Sequence, residues 1–205
     1  MGVVVLKVGG RVAVEAVAPA LAWRDEGADV VVVHGAGPQI TARLEAAGVV
    51  PVFVAGRRVT TPQVLDAVRA SMREVNADVC RALGDPAVGL LGAEIGLEAA
   101  RVHELGLVGD PLPGAPQAVL DALAQGRVPV VAPLARDAEA PDVTLNVNAD
   151  EAAAALAVGL GAERIAFVSD VPGVLLDDAV VDRLAADEAD RMLDAGRFEG
   201  GIVPK

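Results

Sequence analysis

Two short valine-rich runs, Val3 to Val8 and Asp29 to Val33, each end next to glycines and lead straight into a segment of helical period. This repeated order of strand, glycine turn and helix restricts the fold more than any other feature. A β-branched run without polar alternation suits a strand buried on both faces, and such strands belong to parallel sheets covered by helices. Hydrophobic residues make up 53 % of the chain but aromatics only 2 %, so Ala, Val and Leu must fill the core. Tight helix-on-sheet packing is the natural outcome.

The same periodicities continue along the 205 residues. Helices are expected over Val12 to Glu26, Pro38 to Ala47, Pro62 to Leu83, Ala118 to Gln125, Ala149 to Leu160 and Ala186 to Ala195. Strands are expected at Ala87 to Leu91, Val128 to Ala132 and Arg164 to Ser169, with hairpin-like segments around Pro51 to Thr60, within Glu98 to Val108 and after Gly173. Thr61 followed by Pro62 marks the long helix, since threonine caps an N-terminus and proline loses nothing in the first helical turn. The charged stretch Arg136 to Asp142 reads as a solvated connection and the boundary between two lobes, 1–140 and 141–205.

Acidic residues outnumber basic ones by 29 to 17, a formal charge of −12, which argues against nucleic acid or an anionic membrane as partner. The single cysteine, Cys80, cannot form an internal disulfide, and no Cys/His cluster has zinc-ligand spacing. No stretch has the length of a membrane span, and the N-terminus runs directly into a strand. A cytoplasmic setting is expected.

The candidate chemistry sits at the strand ends. In Lys7-Val8-Gly9-Gly10, two glycines let the backbone approach a ligand, the next helix N-terminus favours an anion, and Lys7 adds a mobile positive charge. An ordinary tight turn reads the same way. His34-Gly35-Ala36-Gly37-Pro38 repeats the pattern, and two such turns at carboxyl ends of parallel strands are better evidence than one. Neither the dinucleotide nor the P-loop fingerprint is met, since Ile40 stands where the first wants a small residue. Arg57-Arg58 suits either a carboxylate clamp or a solvated loop. Asn148 with Glu151 has the spacing of a capping box, whereas Asp150 suits either a lysine-orienting carboxylate or a compensator of the helix dipole. Ser169-Asp170-Val171-Pro172-Gly173 suits either an approach to a nucleotide or a plain turn, and Gly200-Gly201-Ile202-Val203-Pro204-Lys205 suits either another backbone nest or a frayed tail. His34 is given no chemical role.

In this order and spacing the motifs resemble the amino-acid kinase family, most closely its branch acting on N-acetylglutamate. The matching pieces include Lys7-Val8-Gly9-Gly10, Val33 to Gln39, Gly56-Arg57-Arg58-Val59-Thr60, Asn146-Val147-Asn148-Ala149-Asp150, Ser169 to Val174 and Gly200 to Lys205. The resemblance implies an open three-layer αβα sandwich with a mostly parallel central sheet, usually as a homodimer. Residues 1–140 would bind the acyl amino acid and 141–205 would bind ATP. It implies transfer of the γ-phosphoryl of ATP, with Mg²⁺ held mainly through phosphate oxygens, to the side-chain carboxylate of N-acetyl-L-glutamate in arginine biosynthesis. Related readings are a kinase for carrier-protein-linked aminoadipate or glutamate, and a non-catalytic binding or regulatory module of the same fold.

By position, the resemblance makes Lys7 and Lys205 the neutralisers of the transferring phosphoryl group and Asp150 the residue that holds them. These two are the chain's only lysines, against fifteen arginines. Gly9, Gly10, Gly35 and Gly37 would donate backbone N–H groups, Arg58 would bind the substrate α-carboxylate, Asn146 would hydrogen-bond the substrate, and Asp170 and Gly173 would lie by the nucleotide. No protein metal ligands are implied. Ala36 replaces a family glycine, which predicts a methyl crowding the substrate or a backbone angle alanine dislikes. Family members continue past the second lysine, so a short C-terminal lobe is expected, and the lack of an N-terminal extension argues against the arginine-sensitive hexameric form.

Overall fold

A computed structural model describes residues 2–9, 14–168, 173–176 and 179–197. The expected sites at Gly10, Asp170 and Lys205 lie outside those residues, as do the first residues of the helix expected from Val12 and most of the turn before Gly173. In chain order the elements are β1 (Val3–Val8), a 3₁₀ turn (Glu15–Val17), α1 (Ala18–Asp25), β2 (Asp29–His34) and α2 (Gly37–Ala46). A hairpin of β3 (Phe53–Val54) and β4 (Arg57–Arg58) leads to α3 (Pro62–Leu83), β5 (Ala87–Leu91), β6 (Glu98–Arg101), β7 (Val108–Pro111) and α4 (Gln117–Ala124). Next come β8 (Val128–Ala132), β9 (Leu134–Asp137), β10 (Thr144–Val147), α5 (Ala149–Gly159), β11 (Arg164–Val168), β12 (Leu175–Leu176), β13 (Ala179–Val180) and α6 (Ala186–Asp194).

Five strands form one parallel sheet in the order β11-β1-β2-β8-β5. Side chains alternate across it and divide the interior in two. Val4, Leu6, Val8, Val30 and Val32 face a core closed by α1, α2 and α3, while Val5, Val31 and Val33 face one closed by α4 and α5. Val5, Leu6, Val31, Val32 and Val33 are fully buried, as a parallel strand covered on both sides requires. Because all five strands run the same way, their carboxyl ends share one edge. β1 has β2 on one side and β11 on the other, so the chain turns in opposite directions around its end, the place where open α/β sheets bind ligands.

The second core is completed by a small closed barrel, β10-β7-β6-β9. Its strands mix parallel and antiparallel pairs, with Glu98 to Arg101 antiparallel to β7 and parallel to β9. The hairpin expected over Glu98 to Val108 is therefore one side of a barrel. The expected solvated connection at Arg136 also begins inside it: Asp137 is 4 % exposed at the end of β9, and Arg136 Nε donates to the Ala93 carbonyl at 2.7 Å. Long-range pairing to β6, together with pairing to β10, overrides the polar local sequence there. α3 has the expected bounds, with Thr61 Oγ1 accepting from the Val64 N–H.

Sheet and barrel meet tightly at Gly92, just past β5. A Cβ at this position would stand 2.2 Å from the Leu134 carbonyl oxygen, a backbone atom that cannot swing aside. Gly92→Ala is expected to cost ~1–3 kcal/mol, the range for overpacking a closed core. Urea denaturation checks this, and an unchanged midpoint would show that the joint yields.

Candidate active site

The carboxyl edge of the sheet brings Lys7 and Asp150 together. Lys7 is the next-to-last residue of β1 and faces the α5 side; Asp150 is in the first turn of α5, which packs on β1. Lys7 Nζ stands 2.8 Å from Asp150 Oδ1, with both side chains 11 % exposed. The contact is an ion pair without an aligned hydrogen bond, since Oδ1 has no well-directed donor among the described residues. Asp150 thus stands against a lysine and also within the first turn of α5, so its position suits both readings open for it. Asn148 Oδ1 accepts from the Asp150 and Glu151 N–H groups at 2.8 and 3.3 Å and fixes the start of α5. The reciprocal half of the expected capping box is replaced: the Glu151 carboxylate turns to Arg57 Nη2 at 2.6 Å.

Beside this pair lies a cavity of about 160 Å³ whose lining includes Gly35, Ala36, Gly37, Arg58 and Asn146. All five residues expected at an acyl amino acid thus share one hollow. Phe53 and Gly56 of the hairpin, Ile40, Met72 and Asn148 add to its walls. Arg58 is 7 % exposed and stacks on the Phe53 ring, 4.6 Å from its centroid. Its Nη2 donates to Thr41 Oγ1 at 2.9 Å and to the Gly37 carbonyl at 3.3 Å, whereas Nη1 is buried with no partner among the described residues. Burial pushes the guanidinium below its ordinary pKa. A buried cation with an unused donor is a receptor for an anionic oxygen.

Arg57 is held instead. Its Nη2 bonds both Glu151 Oε2 and Asp110 Oδ1. Burial works against its charge, but the hydrogen bonds and charges of Asp110 and Glu151 prevail and hold its pKa above the ordinary value. Asn146 Nδ2 donates to Thr60 Oγ1 at 3.1 Å, and Thr60, fully buried, donates on to the Arg58 carbonyl at 2.8 Å. Thr41, Phe53, Thr60 and Glu151 were given no role in this site from sequence. Only Thr60 and Glu151 carry a local hint, Thr60 by sitting inside the arginine motif and Glu151 by following the Asn-Val-Asn-Ala-Asp motif directly.

Three expectations change. The N–H groups of Gly9 and Gly35 are committed to the carbonyls of Val168 and Val8, at 3.2 and 2.9 Å, so these glycines offer close approach and not donors. The donor role passes to Gly37, where α2 opens with no side-chain cap; Pro38 after it carries no N–H. Ala36 has φ −142°, an angle open to any residue, and is 1 % exposed within the core cluster that holds Val8 and Ile40. It neither strains the turn nor projects a methyl into open space. Gly173 is exposed.

His34 is a core residue. Asn76 Nδ2 donates to the Val130 carbonyl at 2.9 Å and lies 3.2 Å from His34 Nε2. An amide nitrogen can only donate, so Nε2 accepts and the ring proton sits on Nδ1, 3.4 Å from the Gly35 carbonyl. Burial lowers the His34 pKa to about 4, with the Gly35 contact opposing. The unfolded chain binds this proton near pH 6.5, so stability is full above that pH, falls as pH drops toward 4 and then levels. The loss is roughly 3 kcal/mol over that window. His34→Gln is expected to lose that much less stability than the parent between pH 7 and 4; equal losses in chemical denaturation would place the titrating group elsewhere.

Comparison with known proteins follows this geometry. A family model described as "Amino acid kinase family" matches residues 2–205. The acetylglutamate kinase of Geobacillus stearothermophilus is 39 % identical over 214 residues, an alignment that takes in 98 % of this chain and 82 % of the relative. The solved structure of smu.665 from Streptococcus mutans superposes with a TM-score of 0.84 at 25 % identity, over 98 % of this chain and 86 % of that one. The carbamate kinase of Giardia lamblia bound to AMP-PNP shares the fold, with a TM-score of 0.69 at 16 % identity over 99 % and 85 % of the two chains.

Proposed function

Because the chain belongs to the amino acid kinase family, we propose that it transfers the γ-phosphoryl group of MgATP to the side-chain carboxylate of N-acetyl-L-glutamate. The product is N-acetylglutamyl 5-phosphate, an acyl phosphate on the arginine biosynthetic route. The observation that carries this reading is the unused Nη1 of buried Arg58 in a small cavity beside the Lys7–Asp150 pair.

In this reading Arg58 receives the α-carboxylate of the acyl amino acid, and Asn146, held by Thr60, hydrogen-bonds the substrate. The Gly37 N–H at the start of α2 and the closeness permitted by Gly9, Gly35 and Gly37 bring backbone up to substrate and phosphate. The side-chain carboxylate is already a nucleophile at neutral pH, so no general base is needed. Its oxygen attacks the γ-phosphorus as the bond to the bridging oxygen breaks and ADP departs. Lys7, aimed by Asp150, neutralises the charge on the transferring group, and Lys205 is assigned the same task from the other side. Gly10, Asp170 and Gly173 are assigned to the nucleotide. Mg²⁺ would enter with ATP as part of the substrate and would offset the charge of the phosphate oxygens. Residues 1–140 carry most of the acyl site and 141–205 the nucleotide site, with Asn146 reaching across. A homodimer and a cytoplasmic setting belong to the same proposal; no helix among the described residues is long and apolar enough to cross a membrane.

Trapping the acyl phosphate as its hydroxamate, with N-acetylglutamate and MgATP, tests the reaction directly. A signal with carrier-linked aminoadipate or glutamate and none with N-acetylglutamate would move the assignment to that substrate. Lys7→Ala is expected to lower kcat ~100-fold or more, about 3 kcal/mol of lost charge stabilisation. Activity within a few-fold of the parent would remove Lys7 from the mechanism. Arg58→Lys, which loses the planar fork and the stack on Phe53, is expected to raise KM for N-acetylglutamate ~10-fold or more with KM for ATP little changed.

A further inference from the structure

We propose that Arg57 is a latch, a positioning residue that grips Asp110 and Glu151 and thereby holds the β3–β4 hairpin, with Arg58, over the acyl cavity. The proposal rests on the function assigned above to that cavity.

The hairpin needs holding. Its strands are two residues each, too short to be stable by pairing alone. Ala55 at its tip has φ +47°, a conformation that non-glycine residues rarely adopt, and Val52, Phe53 and Val54 are each more than half exposed. Little apolar burial pins the segment down. Yet it carries Phe53, Gly56, Arg57 and Arg58, four residues of the cavity wall.

Two neighbouring arginines tie it in different directions. Arg58 reaches to α2, through Thr41 and the Gly37 carbonyl. Arg57 reaches through Nη2 to Asp110 at the end of β7 and to Glu151 in the first turn of α5. The Arg57 and Glu151 side chains are 21 % and 24 % exposed, so water screens that contact less than the fully open ion pairs elsewhere on the surface. The far side of the latch is firm. Asn148 caps α5 and Asp150 is tied to Lys7, while Asp110 sits in the closed barrel. When the latch is released, the hairpin should move and the α5 terminus should not. Glu151 follows Asp150 directly, so the latch also registers the acyl site against the phosphoryl-transfer pair.

Arg57→Met is expected to raise KM for N-acetylglutamate about 10-fold, with kcat and KM for ATP within about two-fold of the parent. Arg57→Lys should recover part of the loss by restoring one charge-assisted contact. Added to Asp110→Asn with Glu151→Gln, Arg57→Met should cost less than about two-fold more, because the partners are already gone. Hydrogen exchange supplies a readout independent of turnover: amides of residues 52–59 should exchange faster in Arg57→Met, with those of 149–159 unchanged. An unaltered KM together with unaltered hairpin exchange overturns the latch, as does a parallel loss of kcat and both KM values, which marks general destabilisation. If the parent itself fails to phosphorylate N-acetylglutamate, the functional reading falls, and the exchange comparison still decides the latch.

Discussion

A parallel strand buried on both faces leaves a chain few choices, and the molecule follows from that constraint. Each strand of the central sheet must send alternate side chains into two separate cores, and helices must close both. The strand ends then gather on one edge, with every turn into a following helix on the same side. Lys7 is on the α5-facing side of β1 because Val3 and Val5 are, and it meets Asp150 because α5 covers that face. The ion pair is a product of sheet geometry. Burial makes it consequential, since removing either partner strands a charge in a poorly hydrated place.

A protein of net charge −12 that handles anions must rely on local positive charge. At physiological salt the influence of an exposed charge fades over roughly 8 Å, so distant acids matter little. What counts is which cations are left with capacity. Arg57 has its charge met by two carboxylates, whereas among the described residues Arg58 has only neutral oxygen partners and one unused donor. Adjacent in sequence and alike in chemistry, the two arginines differ in the neighbours that tertiary structure supplies.

Much of the sheet and its helices was legible because the signals were local. β1, β5, β8 and α3 have the expected bounds: the three strands are largely apolar runs next to turn signals, and the helix opens on Thr61-Pro62. The barrel was not legible. Its strands are four residues each, three of them carry charged residues, and two of its pairings, β6 with β9 and β7 with β10, join segments 38 residues apart in sequence. Periodicity carries no record of such pairing. In the site, Lys7, Asp150, Arg58 and Asn146 were legible through their motifs. Phe53, Thr41 and the link from Glu151 to Arg57 were not, because their roles depend on what folds against them.

The sequence by itself determined that two glycine turns follow two buried strands, that a lysine stands at the end of the first, and that the chain belongs with parallel α/β proteins. Those properties reside in residue type and spacing, which act over a few positions. Only the tertiary structure decided which donors remain available. It commits the Gly9 and Gly35 N–H groups to strand carbonyls, keeps His34 neutral against Asn76, turns Ala36 into the core, and leaves Arg58 Nη1 without a partner among the described residues. Whether a polar group can still bind something depends on every neighbour brought to it, and those neighbours come from across the whole chain.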